Sequence, residues 1–370
     1  MKKNFFVMMP AFENYGGHEY SFLNPLKKFA IQNNLELIYL LPKNNLIKLD
    51  KKNYKILYLS KKFFIIKKIL STYVNFLILH KFFNKYLKKN DLIYLDGFSI
   101  YFLISFILFY FFSKKKKINV ICWLRYPINN SIKDLLLKMC INKILKTDKL
   151  ILLTENNILK KKIKMKINKI KLFSMPSLHN LSKYQEKKIK NKYLTMFCPG
   201  IYREEKYGAN LIEFLKKNID YNFRLKISKN FLSNTKFLDE DLKKKLILIK
   251  DNLSIKTFIK EVNNCDLILL PYKMPDYLYR TSGIFFESIS LKKISLVSSG
   301  TLMAKDLERF NLKNLVVQNW KTLKLIDIVN ILKDKNINKN LNKFSNYYKK
   351  INGIKPFVDK LDTLNNTFFR

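Results

Sequence analysis

Glycine is scarce in this sequence, at 8 of 370 residues, and arginine is scarcer still, at six against 65 lysines. A usual glycine content is about 7%. Acidic residues are also few, 28 against 71 basic ones, which leaves a formal charge of +43. A chain crowded with Lys, Asn, Ile and Phe and poor in Gly, Ala and Arg is what an AT-rich coding bias produces, so part of this charge needs no selection. The same bias makes the exceptions informative, because a Gly or Arg that persists against it answers a chemical need. The glycine shortage removes whole classes of motif: there is no Gly-x-Gly-x-x-Gly and no P-loop, which argues against NAD and ATP as ligands. Four cysteines, at positions 122, 140, 198 and 265, have no CxxC spacing and read as reduced structural thiols of a cytosolic protein. The histidines, His18, His80 and His179, are too scattered for a metal site. No apolar run reaches the ~20 residues that span a bilayer. The longest, Gly97 to Ser113, has 17 residues and reads as a buried helix. Lys2 and Lys3 before Phe5 to Met9 imitate a signal peptide, but Pro10 and Glu13 interrupt the run without a cleavage site, so a first strand is expected.

What is present is a large core. Apolar residues make up 48% and aromatics 14%, which excludes disorder as the dominant state, and the length argues for two domains. Short β-branched and aromatic runs alternate with helical patterns, the mark of parallel sheets with crossover helices. Strands are expected at 5–9, 35–41, 92–95, 119–124 and 149–153, with helices at 18–32, 74–88, 98–112, 131–145 and 155–164. A second series restarts near 190, with strands at 193–198, 223–228, 245–249, 267–270, 294–298 and 315–318. Its helices are expected at 207–217, 254–263 and 282–291. The stretch 160–192, dense in Lys and containing Pro176, reads as a linker. Two doubly wound Rossmann-like domains, 1–190 and 191–345, are therefore expected, with a C-terminal helix at 346–370 packing back on the first.

The rare residues fall at strand ends. Gly16 and Gly17 follow the first strand, Gly200 follows the strand that opens the second half, and Gly283 follows the loop after 267–270. Arg125, Arg203 and Arg280, half of all the arginines, lie just beyond strand C-termini, where open α/β sheets bind ligands. Each position alone is ordinary turn chemistry; the ensemble points to a cleft between the two domains. Within Pro271 to Leu291, Thr281 and Ser282 are N-cap candidates, Gly283 lets a ligand approach the backbone, and the following helix offers free N–H groups to an anion. Arg280 adds a bidentate phosphate donor. Glu287 sits four residues after Gly283 among apolar neighbours and needs a partner, for which a pair of ligand hydroxyls is suited, unless it is a solvent-exposed Glu. In Cys198 to Gly208, Arg203 and Lys206 place two cations near a helix start, suited to a diphosphate; Arg203 could instead pair with Glu204 or Glu205. Asp239-Glu240-Asp241 has Asp-x-Asp spacing but reads as a helix N-terminal charge cluster.

Four stretches, YGGHE at 15–19, PGIYREEKYG at 199–208, DLILLPY at 266–272 and YRTSGIFFESISLKKISLVSSG at 279–300, resemble the GT-B fold glycosyltransferases, especially family 4, and with the element order the resemblance covers nearly the whole chain. It implies a GT-B fold, a nucleotide-diphosphate sugar as co-substrate, and no cofactor or metal. By resemblance, Gly16, Gly17 and His18 line the cleft near donor phosphates and acceptor, Arg203 and Lys206 hold the diphosphate, the Ser282 and Gly283 backbone touches phosphate or sugar, and Glu287 bonds the ribose; Gly200, Arg280 and Thr281 are placed at the donor by their positions at strand and helix ends. Arg125 joins the acceptor-side loop. The family often has two Glu with seven residues between them, and Tyr279 stands where the first would be.

The expected function is a hexosyltransferase-like, metal-independent enzyme acting on a glycan or lipid-linked acceptor in bacterial-type surface polysaccharide or lipooligosaccharide synthesis. The alternatives are a non-enzymatic basic protein that binds membrane or nucleic acid, against which no nucleic-acid motif is visible, and a GT-B sugar-nucleotide epimerase. Residues 1–200 carry 39 basic and 10 acidic residues and 201–370 carry 32 and 18, so the first half holds most of the surplus charge. Lys61, Lys62, Lys67 and Lys68 interleave with Phe63 to Ile66, and Lys81, Lys85, Lys88 and Lys89 with Phe82, Phe83 and Tyr86. This mixture predicts docking on an anionic membrane, peripheral to its cytoplasmic face; the alternative is lysine lying over a packed helix. His18 either contacts the donor sugar or acceptor proton or is a surface loop residue; turnover of a His18→Gln variant across about pH 5 to 9 separates the two, unchanged rates removing it from the mechanism.

Overall fold

Residues 4–8 read Asn-Phe-Phe-Val-Met, apolar after the first residue, and all five are buried, as a strand covered on both faces requires. The computed structural model describes residues 2–10, 18–42, 65–97, 99–112, 118–125, 132–145, 150–167, 171–178, 192–206, 208–235, 238–251 and 253–369. The first series runs β1 (Asn4–Met8), α1 (His18–Gln32), β2 (Glu36–Leu40), α2 (Ile65–Tyr86), β3 (Leu92–Leu95), α3 (Ile100–Phe112), β4 (Asn119–Leu124), α4 (Ile132–Leu145), β5 (Leu150–Thr154), α5 (Asn157–Lys164) and β6 (Lys171–Ser174). The second continues with β7 (Leu194–Cys198), α6 (Gly208–Lys217), β8 (Phe223–Ser228), α7 (Asn230–Asn234), α8 (Glu240–Lys244), β9 (Leu246–Ile249), α9 (Ile255–Asn263) and β10 (Leu267–Leu270). It ends with α10 (Gly283–Ser290), β11 (Ser295–Ser298), α11 (Leu302–Arg309), β12 (Val316–Val317), α12 (Leu325–Lys333), α13 (Lys335–Ile351) and α14 (Ile354–Phe368).

Two all-parallel sheets result, in the orders β2-β1-β3-β4-β5-β6 and β12-β11-β10-β7-β8-β9. One compact unit takes the chain to Leu178 and again from Ile354; the other lies between them in sequence. The chain returns to the first unit because α14 supplies part of its core. Phe357 packs on Phe22 of α1 and Trp123 of β4, with ring centroids 5.6 and 5.9 Å apart.

Two expectations are corrected. The stretch 160–192 contains a strand, β6, which pairs with β5 at the sheet edge. Of its four residues only Leu172 is buried, so the strand carries almost no apolar signal among its lysines. The second concerns α2, whose aromatics do not face outward with Lys81 and Lys85. Phe83 lies 5.1 Å from Phe6 and stacks 4.7 Å from Phe109, and Phe82 lies 5.9 Å from Phe6, so both rings are core. Helical periodicity explains this for Phe83, which points away from Lys81 and Lys85, whereas Phe82 shares the side of Lys85 and is buried against Phe6 at the edge of that face. Lys61 to Phe64 lie outside the described residues.

Each sheet is fastened by the same device. Asp91, fully buried just before β3, accepts hydrogen bonds from the Asn4 N–H at 2.7 Å, the Asn4 side-chain amide at 2.9 Å and the Lys88 N–H at 2.6 Å. Asp266, just before β10, accepts from the Thr195 N–H at 2.9 Å, while its own N–H donates to the Thr195 carbonyl at 2.7 Å. In both cases the carboxylate joins the first strand of its sheet to the strand beside it on the far side of the chain's first crossover. Asp91→Ala leaves three donors, two of them buried on Asn4, without their acceptor and should cost about 3 kcal/mol or more. The check is a urea midpoint, with Asp91→Asn recovering part of the loss.

Candidate functional site

In the second sheet the chain first winds from β7 to β8 and β9, then reverses to β10, β11 and β12, so the strand order switches between β7 and β10. A crevice outside the carboxyl ends of such a pair is the usual ligand position. The two loops that leave this pair are the ones the sequence singled out. After β7, Pro199 leads into Gly200, whose φ of 103° is a conformation that favours glycine, and the chain turns at Arg203 so that the Lys206 N–H donates to the Arg203 carbonyl at 2.9 Å. After β10, Pro271 and Tyr272 open the second loop. The Lys273 N–H donates to the Glu205 carbonyl at 2.8 Å and the Lys273 ammonium meets Glu204 at 2.5 Å, tying the loops together.

Three cations converge here. Lys206 is pushed down to about 8, first by burial of its ammonium and then by the neighbouring charges of Arg203 and Arg280, which outweigh the opposing effect of Glu205. Arg203 is half exposed, and Glu205 stands 3.9 Å from its guanidinium, while Glu204 is taken by Lys273 and the Tyr202 hydroxyl. The cations stand along an aromatic wall that sequence reasoning missed. The Lys206 ammonium is 5.8 Å from the Tyr272 ring, the Arg280 guanidinium is 5.0 Å from the Tyr277 ring, and the two rings are 4.3 Å apart. Burial raises the Tyr272 phenol well above its ordinary range, so it stays neutral beside the cations. The available signal was Tyr272 two residues after the Leu267–Leu270 strand, behind Pro271 where a strand-end loop begins.

Of the two candidate caps of α10 it is Ser282 that acts, its hydroxyl accepting from the Phe285 N–H at 3.3 Å. Arg280, Thr281 and Gly283 are each half-buried around it. Glu287 lies one turn into α10 and stands apart from the cations: burial alone pushes its carboxyl up to about 7, and among the described residues no side chain or backbone group bonds it. It keeps part of its surface accessible although protein surrounds it closely, the situation of a group on the wall of a recess.

In the first unit, Gly16 and Gly17 lie outside the described residues, and His18 enters as the first residue of α1. Arg125 is at a strand end, as expected, but its charge is already answered. Its guanidinium forms two bonds to Asp96, at 2.9 and 2.6 Å, and one to Glu155 at 2.7 Å, and it lies over the Phe22 and Trp123 rings. These carboxylates end β3 and β5, and the sequence reading paired neither with Arg125. Asp239 precedes α8, where Glu240 and Asp241 pair with Lys243 and Lys244 on the exposed first turn.

Glu287 also sets a pH-dependent stability. Its folded value lies above that of an unfolded carboxyl, so the native chain holds the extra proton below about 7 and loses that advantage as pH rises through it. Glu287→Gln should therefore stabilise the protein by roughly 1 to 3 kcal/mol at about pH 8 and by little near pH 5, measured as paired thermal melts.

No family model matches the chain, and no curated protein matches it. Solved structures do. A glycosyltransferase from Rickettsia africae ESF-5 superposes with a TM-score of 0.75 at 16% identity, over 100% of this chain and 99% of that one. WaaG, a glycosyltransferase involved in lipopolysaccharide biosynthesis, gives a TM-score of 0.66 at 9% identity over 97% and 99%. HepE of Anabaena, solved in complex with UDP-glucose, gives 0.69 at 10% identity over 99% and 100%. The chain has the fold of these enzymes, two parallel α/β units of the GT-B type.

Proposed function

We propose that this GT-B chain is a glycosyltransferase that transfers a sugar from a nucleotide-diphosphate sugar to a glycan or lipid-linked acceptor. The observation that carries the reading is the meeting of Arg203, Lys206 and Arg280 at the strand-order switch, where burial and then the charges of the two arginines drive Lys206 down to about 8. A cluster of like charges held in a partly buried recess is costly unless an anion completes it. A diphosphate does so, and the likeness to HepE, solved with UDP-glucose, supports a nucleotide sugar as its source.

The chemistry follows from where charge develops. As the glycosidic bond to the diphosphate breaks, negative charge grows on the leaving phosphate oxygens; cations already fixed in place stabilise it without reorganising. The α10 N-terminus capped by Ser282 adds backbone N–H groups near the same anion. Glu287 accepts the ribose hydroxyls, which supplies the partner its carboxylate lacks. The three cations perform the neutralisation themselves, a metal-independent reading with no cofactor. The likeness to WaaG supports an acceptor of the lipopolysaccharide kind and a place in surface glycan synthesis; the surplus of basic residues in the first half of the chain supports peripheral work at the inner face of the cell membrane.

Calorimetry with a nucleoside diphosphate tests the site. Arg203→Ala and Lys206→Ala should each weaken binding and slow transfer by about 10²-fold. Equal binding by wild type and the double variant would overturn the assignment. Because a bound anion favours the charged ammonium, binding should also take up a proton near pH 8 and weaken above it as Lys206 turns neutral; titrations in buffers of different ionisation enthalpy measure that proton.

A further inference from the structure

The outer side of the first unit carries an apolar surface that the donor site does not use. On α2, Leu70, Tyr73, Val74 and Leu77 follow the i, i+3, i+4, i+7 spacing of a single helix face, and all four are exposed, Leu70 at 61% and Tyr73 at 56%. The opposite face of α2 supplies Leu79, Phe82 and Phe83 to the core, so the exposed stripe is a second, separate apolar face. It continues onto α3, which packs closely against α2. The Phe76 ring of α2 lies 5.7 Å from Phe112, the last residue of α3 and 63% exposed, and Tyr73 lies 6.4 Å from Phe76. Outward positions Ile104 and Leu108 of α3 are half-buried, and α3 has no charged residue along its length. On α4, the neighbour of α3, Leu135 and Met139 are exposed as well. Single exposed apolar residues are ordinary; a contiguous set spread over packed helices marks an interaction surface.

Charge chooses the occupant. Along α2 the exposed face passes from Leu77 to Lys81 and Lys85, one and two turns further on, and neither has a carboxylate partner among the described residues. There is no acidic residue in α2. A second copy of the chain would bring these cations against their own kind, whereas an acidic bilayer meets both halves of the face: side chains of 70–77 enter the headgroup boundary and the ammonium groups stay with the phosphates. No helix among the described residues is long and apolar enough to cross a membrane. We propose that the outer face of α2 and α3, with Leu135 and Met139 of α4, is a surface on which the protein lies against an anionic lipid bilayer. This rests on the peripheral placement given above and not on the sugar chemistry. It replaces the aromatics Phe82 and Phe83, which are core, with a different set of residues on the same helix.

Sedimentation with vesicles tests it, using phosphatidylcholine alone and phosphatidylcholine with roughly 30% phosphatidylglycerol at low salt. Wild type should partition to the acidic vesicles. Lys81→Gln with Lys85→Gln should lower that partitioning by about 30-fold. Leu70→Ser with Leu77→Ser should lower it about tenfold or more. These positions are exposed, so thermal melts and nucleoside diphosphate binding should stay as in wild type, which separates this outcome from a failure of the donor site. Equal recovery with both vesicle types, or unchanged partitioning of both variants, would overturn the proposal. So would a concentration-dependent dimer that Leu70→Ser with Leu77→Ser dissociates without any vesicle binding by wild type.

Discussion

A carboxylate bonded to the backbone at the amino end of the central strand pair, fully buried in the first sheet and half-buried in the second, is the constraint on which each sheet depends. Strands β1 and β3, and β7 and β10, are neighbours in space but separated in the chain by a whole excursion through the strands on one side. Bringing such distant segments together costs loop-closure entropy before any pairing rewards it. Asp91 and Asp266 answer at that point with charge-assisted bonds to the backbone of the first strand, 87 and 71 residues away. Fixing the pair at one end leaves the other end free to diverge into loops. The device that closes the sheet below thereby defines the crevice above, and Arg203, Lys206 and Arg280 sit in the loops that diverge.

The two units treat that crevice differently. At the carboxyl ends of the first sheet, Arg125 is held by Asp96 and Glu155 and stacked on Phe22 and Trp123, a closed arrangement in which every charge has its answer. In the second sheet the equivalent end gathers Arg203, Lys206 and Arg280, with Glu205 3.9 Å from Arg203 and Glu204 taken by Lys273. One end is a closed set of short ion pairs; the other brings like charges together around a buried ammonium. A residue's position at a strand terminus therefore does not settle its role, and Arg125 and Arg203 look alike until their neighbours are known.

Strand and helix order were legible because central parallel strands are uninterrupted apolar runs and their turns carry the rare Gly, Pro and Arg. Arg203, Lys206 and the Ser282 cap stood out in the sequence for the same reason. Edge strand β6 was not, because one buried leucine among lysines leaves no periodic signal. Short α11 was missed as well, although Thr301 caps it. Tyr272 and Tyr277 escaped notice because an aromatic residue in a chain with 30 Phe and 21 Tyr is unremarked until a cation is found above it. The outward stripe of α2 was hidden by the adjacent Phe82 and Phe83: apolar residues on both sides of a helix blur the pattern that either side alone would show.

The use of α14 in the first unit has a consequence for synthesis. Trp123 and Phe22 emerge early, but Phe357, the ring that covers them, is made only after the whole second unit. At about 5–20 residues per second the gap between Leu178 and Ile354 lasts roughly ten to thirty seconds, during which the part of this apolar face of the first sheet that α1 does not cover stays open on the ribosome. The second unit can fold as it is made, whereas the first, though translated earlier, finishes last. A chaperone has its longest opportunity at that waiting face, and a ribosome that stalls or terminates before Phe357 releases a chain with an unclosed core.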